Sequence, residues 1–259
     1  MLGCGRAAHL GTDTSNRIPG DSLSSHTDLL GNLNPEREEL HRKIIDEHFA
    51  GKSPAEGKPV FTIMGGGSAS GKSTMIESGA VKLPDNSVVI DSDFIKTKLP
   101  EYQAMVVAGD LEAAKFAHEE SSALAKRMLK VANDGGFNVV LDGVGAGSIR
   151  SLSEKIIDAR NVNMTVNGVY ATVPTEMAIE RAVARASLTG RSVAITKVRE
   201  LHKSVSEILP ECAHLFDTVE LYDTTSDVIL IATGGSGKGL QIVKGQAELF
   251  DAFLQKAFE

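Results

Sequence analysis

Cysteine is nearly absent from this 259-residue chain: Cys4 and Cys212 stand alone and far apart. That excludes a disulfide framework or a multi-cysteine metal site and points to a reducing, cytoplasmic setting. Positive charge is also short. Lys and Arg number 27 against 34 acidic residues, giving a formal charge of -7. The basic footprint of a nucleic-acid binder is therefore missing, no nucleic-acid partner is expected, and a small anionic ligand must be held by a few local cations. No apolar run approaches the roughly 20 residues of a membrane span. No basic start followed by an apolar core marks a secretion signal, and Leu2 stands where myristoylation needs glycine. No membrane association is expected. The length allows one α/β domain with small additions.

Against these absences stands one complete motif. Gly66-Gly67-Ser68-Ala69-Ser70-Gly71-Lys72-Ser73 fits G-x-x-x-x-G-K-[ST] and follows the apolar run Val60-Phe61-Thr62-Ile63-Met64. Glycines let successive backbone N–H groups turn inward around a phosphate chain, and the following helix offers its positive end. Lys72 reaches the β/γ oxygens, the Ser73 hydroxyl is placed to ligate Mg2+, and Thr74 follows on the same turn. A second glycine cluster, residues 234–239, lacks the spacing and the hydroxyl; between two apolar runs it reads as a hairpin turn.

Residues 1–33 are rich in Gly, Ser, Thr and Asp and read as a weakly ordered arm. Asn34 and Pro35 then cap and start a helix that ends by Gly51. Strands are expected at 59–64, 87–91, 137–141, 163–171, 217–222, 227–232 and 240–243. Helices are expected at 72–80, 110–134, 148–160, 174–188, 193–209 and 245–257. Leu111, Leu124 and Met128 mark the apolar face of the long one. This alternation predicts a mostly parallel sheet flanked by helices over 34–259, with C-terminal strand and helix additions and the ligand at the carboxyl ends of the strands.

Three strand ends bring polar residues to that rim. The first carries the loop. The second runs Val88-Val89-Ile90-Asp91-Ser92-Asp93 and delivers two carboxylates, one of which is suited to act as a base. The third runs Val139-Val140-Leu141-Asp142-Gly143, its carboxylate suited to Mg2+ or to an acceptor. For each aspartate alone a helix cap or turn is the plain alternative. No Asn-Lys-x-Asp segment for reading guanine is present, nor a strand ending in the Asp-Glu of ATP-driven motors. What remains is a compact kinase. Arg181 and Arg185 share one helix face, and Arg191 follows Gly190 before the next helix, a pattern that fits a closing helical lid as well as a solvated face.

Taken together, the phosphate loop, Asp91 to Lys96 with Leu99-Pro100, Gly136 to Gly143, and Glu180-Arg181 with Gly190-Arg191 resemble the zeta toxin kinases over about residues 57–225. The resemblance implies a P-loop kinase fold, ATP (or GTP) with Mg2+, and transfer to a sugar hydroxyl of UDP-N-acetylglucosamine. It further implies that Lys72 and Ser73 bind phosphate and metal, that Asp93 is the catalytic base, and that Arg181 and Arg191 embrace the phosphates. Asp142 stands where the family has a glutamate that contacts the sugar, and Val144 where a hydroxyl-bearing residue is common. Glu119, Glu120 and Ser121, on the long helix, are candidates to face the acceptor, with a solvated stretch as the plain alternative. A separate antitoxin or immunity protein is implied as a partner. Two alternatives keep the loop and change the role: another acceptor, such as NAD, a nucleoside or an antibiotic, or a module that binds nucleotide without catalysis.

Overall fold

A computed structural model describes residues 20–110, 112–189 and 193–259. Leu111, Gly190, Arg191 and most of the expected arm lie outside the described residues. Seven strands form one sheet: β1 (Val60–Gly66), β2 (Val88–Asp91), β3 (Val139–Asp142), β4 (Thr165–Thr172), β5 (Thr218–Asp223), β6 (Ile229–Gly235) and β7 (Lys238–Ile242). Their order across the sheet is β2-β3-β1-β4-β5-β6-β7. The first five neighbours are parallel, and β6 and β7 add antiparallel. The second glycine cluster is the β6–β7 turn, as its spacing predicts.

The helices are α1 (Pro35–Phe49), α2 (Lys72–Glu77), α3 (Ser92–Lys96), α4 (Pro100–Val107), α5 (Ala113–Phe116), α6 (His118–Asp134), α7 (Ile149–Asn161), α8 (Thr175–Thr189), α9 (Ile195–Cys212) and α10 (Ala247–Gln255). Parallel strands need helical crossovers, so the sheet is buried on both faces. Phe61 and Ile63 of β1 join the large core with Leu124, Met128, Ile156, Leu209 and Phe253. Met64, one residue on, points to the other side and packs with Met75 and Val81. The chain leaves β1, crosses to the edge at β2, returns through β3 and passes to β4 on the far side of β1. Such a reversal opens a crevice at the carboxyl end of β1, where the phosphate loop lies.

The long helix expected at 110–134 is two helices. Ala117, fully buried, breaks it at φ -89°, ψ 0°. The Phe116 carbonyl accepts from the Ser22 N–H at 2.9 Å, so it serves a tertiary bond. The same bond revises the expected arm. Residues 20–33 carry a 3-10 turn at Ser24–His26, a Thr27–Leu33 bridge and a His26–Glu101 contact of 2.9 Å. Their polar groups pair with the domain, a feature that composition does not encode.

Glu120 requires a further correction, because it does not face an acceptor. It is fully buried and grips α1: Arg37 Nε and Nη2 donate to it at 2.5 and 2.7 Å, and His41 Nε2 at 2.6 Å. Arg127 donates to His41 Nδ1 at 3.1 Å, which makes Nε2 the protonated nitrogen. Arg37 also makes a two-pronged contact with Glu101, both bonds 2.9 Å. Burial alone would raise the Glu120 pKa; the bonds from His41 and Arg37 outweigh it and hold the group down at about 2.

A pKa below the usual 4.5 means that Glu120 contributes stability above pH 4.5 and that this contribution is lost as pH falls toward 2. Glu120→Gln leaves Arg37 with half its partners and is expected to cost about 3 kcal/mol in chemical denaturation. The variant is also expected to show a flatter acid limb of stability than the parent. An unchanged acid limb would show that Glu120 is not the group responsible.

Candidate functional site

β1 runs into the phosphate loop through three glycines, and each meets a neighbour that leaves no room for a Cβ. At Gly65 the Tyr170 ring occupies that space, and at Gly66, with φ +140°, Ser70 Oγ and the Ala171 carbonyl do so. At Gly67 the ring of His202 does the same. Gly71, at φ +88°, caps α2 in the left-handed region and places its missing Cβ 2.5 Å from Thr224 Oγ1. Ala69 also takes a positive φ, of +58°. Glycine-rich turns of this tightness are the backbone form from which N–H groups can bind an anion.

Side chains from distant parts of the chain hold that shape. His202 of α9 is buried, and its Nε2–H donates to the Ser68 carbonyl at 3.0 Å. Burial, helped by the charges of Lys256 and Lys72, lowers its pKa to about 4 despite the opposing Ser68 bond, so the ring is neutral at neutral pH. Thr224, after β5, donates to the Ser70 carbonyl at 2.7 Å. Tyr170 OH donates to the Gly145 carbonyl at 2.8 Å and so ties the β3 loop to the same corner. None of His202, Thr224 and Tyr170 stood out in the sequence. A lone histidine on a helix carries no spacing signal, and only a close approach in three dimensions gives it a role.

The acids gather as their strands predict. Asp91 and Asp142 are register partners at the carboxyl ends of β2 and β3. Asp91 takes the plain role, its Oδ1 accepting from the Asp93 N–H at 2.8 Å as the cap of α3. Asp93, one residue into that helix, projects a largely exposed carboxylate whose Oδ1 accepts from Lys96 Nζ at 2.7 Å. Asp142 Oδ1 lies 3.8 Å from Lys72 Nζ. Burial raises the Asp142 pKa; Lys72 opposes this, while Asp91 and Asp93 reinforce it. The three acids share the rim with two lysines, Lys72 beside Asp142 and Lys96 beside Asp93. Ser73 exposes its side chain on the first turn of α2, with Thr74 beside it.

The arginines divide differently from expectation. Arg181 turns to the segment after β5, donating to the carbonyls of Thr224 at 2.9 Å and Thr225 at 3.2 Å. Of these two described arginines, Arg185 reaches the phosphate loop, at 3.4 Å from Ser68 Oγ. Arg191 lies outside the described residues.

A family model described as zeta toxin matches residues 45–241. Over 217 residues the chain is 24% identical to the calmodulin calcium-dependent NAD kinase of Arabidopsis thaliana, covering 65% of this chain and 41% of that protein. It is 24% identical to Toxin zeta of Streptococcus pyogenes over 191 residues, 69% of this chain and 65% of that one. The chain thus spans less than two thirds of the length of these relatives. In structure it resembles a chain of the PezAT toxin-antitoxin system of Streptococcus pneumoniae, with TM-score 0.65, 14% identity, and coverage of 87% and 97%. It also resembles a chain of the AvrRxo1-ORF1:-ORF2 complex with ATP, with TM-score 0.66, 18% identity, and coverage of 87% and 74%. These likenesses establish the fold.

Because the His202 ring occupies the space a Cβ would need at Gly67, Gly67→Ala is expected to weaken ATP binding at least about 10-fold by calorimetry. Adding His202→Ala opens that space and is expected to restore part of the loss. If Gly67→Ala binds ATP as the parent does, close packing does not shape the loop.

Proposed function

The chain belongs to the zeta toxin family, and we propose that it is a kinase that carries the γ-phosphoryl group of ATP, or GTP, to a hydroxyl of a sugar nucleotide such as UDP-N-acetylglucosamine. The observation that supports this most is the meeting of Lys72 with Asp142 at 3.8 Å beside the α3 turn that presents Asp93. In this reading the acceptor oxygen forms its bond to the γ-phosphorus as the bond from that phosphorus to the bridging oxygen of the leaving ADP breaks. The hydroxyl proton passes to the Asp93 carboxylate. Lys96, nearly buried, keeps that carboxylate oriented by their 2.7 Å ion pair. Lys72 and Arg185, with Arg181 and Arg191 upon lid closure, stabilise the charge of the migrating group.

Mg2+ fits the residues present. Ser73 offers a hydroxyl at the start of α2, and Asp142 Oδ1 is buried without a hydrogen-bond partner. One hydroxyl, a nearby carboxylate, water and phosphate oxygens are the donors that Mg2+ prefers. When bound, it would neutralise the β and γ oxygens.

A second acceptor is NAD, because a relative 24% identical to the chain carries the name calmodulin calcium-dependent NAD kinase. The family neighbours in toxin-antitoxin complexes support a separate antitoxin as a protein partner. No described helix is long and apolar enough to cross a membrane.

Incubation with ATP and either UDP-N-acetylglucosamine or NAD is expected to add one phosphoryl group to one of them by mass spectrometry. Asp93→Asn is expected to lower that rate by about 10²–10⁴-fold while ATP affinity is kept. Near-parental turnover by Asp93→Asn would remove the base assignment, and no transfer to any hydroxyl acceptor would favour the nucleotide-binding module.

A further inference from the structure

Beside Asp142 the crevice deepens into a cavity of about 270 Å3 that runs between α6 and α7, under the loop after β3. Asp142, 3.8 Å from Lys72, and Ser92 line it, Leu129 and Leu141 contribute apolar wall, and Lys126, exposed, and Lys155, half-buried, line it from the two helices. Among the described residues neither lysine is in an ion pair. Lys155 Nζ donates to Ser151 Oγ at 2.6 Å. Burial lowers the Lys155 pKa and the neighbouring Lys126 charge lowers it further, with Glu154 opposing.

Two lysines line one partly apolar cavity, and the charge of one opposes that of the other in the unliganded protein. Packing does not require it, since a leucine or glutamine would fill the same positions without repulsion. Local charge conflict of this kind marks positions arranged for a ligand. The chain as a whole is acidic, at -7, so this pair of lysines is a local exception. It is also separate from the cation that serves the nucleotide, because Lys72 is already directed to Asp142.

We propose that Lys126 and Lys155 are specificity-determining residues that bind an anionic, phosphate-class group of the acceptor, while its reacting hydroxyl lies at the Asp142 end of the same cavity. The cavity wall of Leu129 and Leu141 takes the apolar part between them. Neutral alcohols such as a nucleoside or an uncharged antibiotic leave the two ammonium groups unmatched and are poor acceptors. Calling the bound molecule an acceptor rests on the kinase reading above; the anion site does not.

Inorganic pyrophosphate is the probe, titrated calorimetrically into full-length protein whose phosphate loop is filled with a non-hydrolysable ATP analogue. The parent is expected to bind it, with affinity that falls as salt rises. Lys126→Gln and Lys155→Gln are each expected to weaken binding about 10-fold or more. Lys155→Arg, which keeps the charge, is expected to retain it. Unchanged melting and analogue affinity in these variants confirm that the fold is intact. In the kinase assay, both Gln variants are expected to raise KM for a phosphorylated acceptor with little change in kcat. Absence of pyrophosphate binding by the parent, or equal binding by the double Gln variant, overturns the proposal. Loss of the Asp93 assignment would leave the pyrophosphate result standing, so the two readings fail separately.

Discussion

Everything at this site depends on how closely backbone can approach backbone at the end of β1. Tyr170, fully buried in β4, lies where a side chain on Gly65 would be and holds the Gly145 carbonyl at 2.8 Å. A Cβ on Gly145 would in turn be 2.9 Å from the Gly65 Cα. Three segments therefore share one corner, and the ring of Phe216, edge-on at 6.2 Å, backs the tyrosine from the core. Because the interior is close-packed, displacement of any one member moves the others. A loop built this way reaches its anion-binding shape before the ligand arrives, which removes an ordering cost from binding.

The electrostatics follow from that placement. Parallel strands in register bring Asp91 beside Asp142, and the turn into α3 projects Asp93 toward the same rim. Repulsion among them is answered from several sides: Lys72 meets Asp142, Lys96 meets Asp93, and the Asp93 N–H meets Asp91. The acids are thereby separated by role, although their sequence positions look alike. Asp91 shapes a helix end, Asp142 sits half-buried beside the loop lysine, and Asp93 pairs with Lys96 while its carboxylate is largely exposed.

A second cluster of charge lies away from the rim and has a different purpose. Glu120 joins α6 to α1 through Arg37 and His41, while Arg37 and His26 extend the contact to Glu101 on α4. The amino-terminal segment is thus fastened to the helix whose opposite turns line the cavity. Removal of one partner from such a buried network is costly because the remainder stays charged and dry. From sequence alone Glu120, on the long helix, is a candidate acceptor contact with a solvated stretch as the plain alternative. Its burial depends on α1, which returns from 83 positions away.

Features that rest on local spacing and period can be read directly from the chain. The phosphate loop with Lys72 and Ser73, the apolar strands ending in Asp91 and Asp142, the Asn34–Pro35 helix start and the hairpin at 234–239 were all legible. Each of these is a relation between near neighbours in the chain. Long-range packing sets which acid caps and which pairs with Lys96, that Arg185 and not Arg181 meets Ser68, that Phe116 ends its helix to bond Ser22, and that His202, Thr224 and Tyr170 shape the loop. Those outcomes are distances between segments far apart in sequence, and no pattern within one segment encodes which of its polar groups will find a partner once the core has closed.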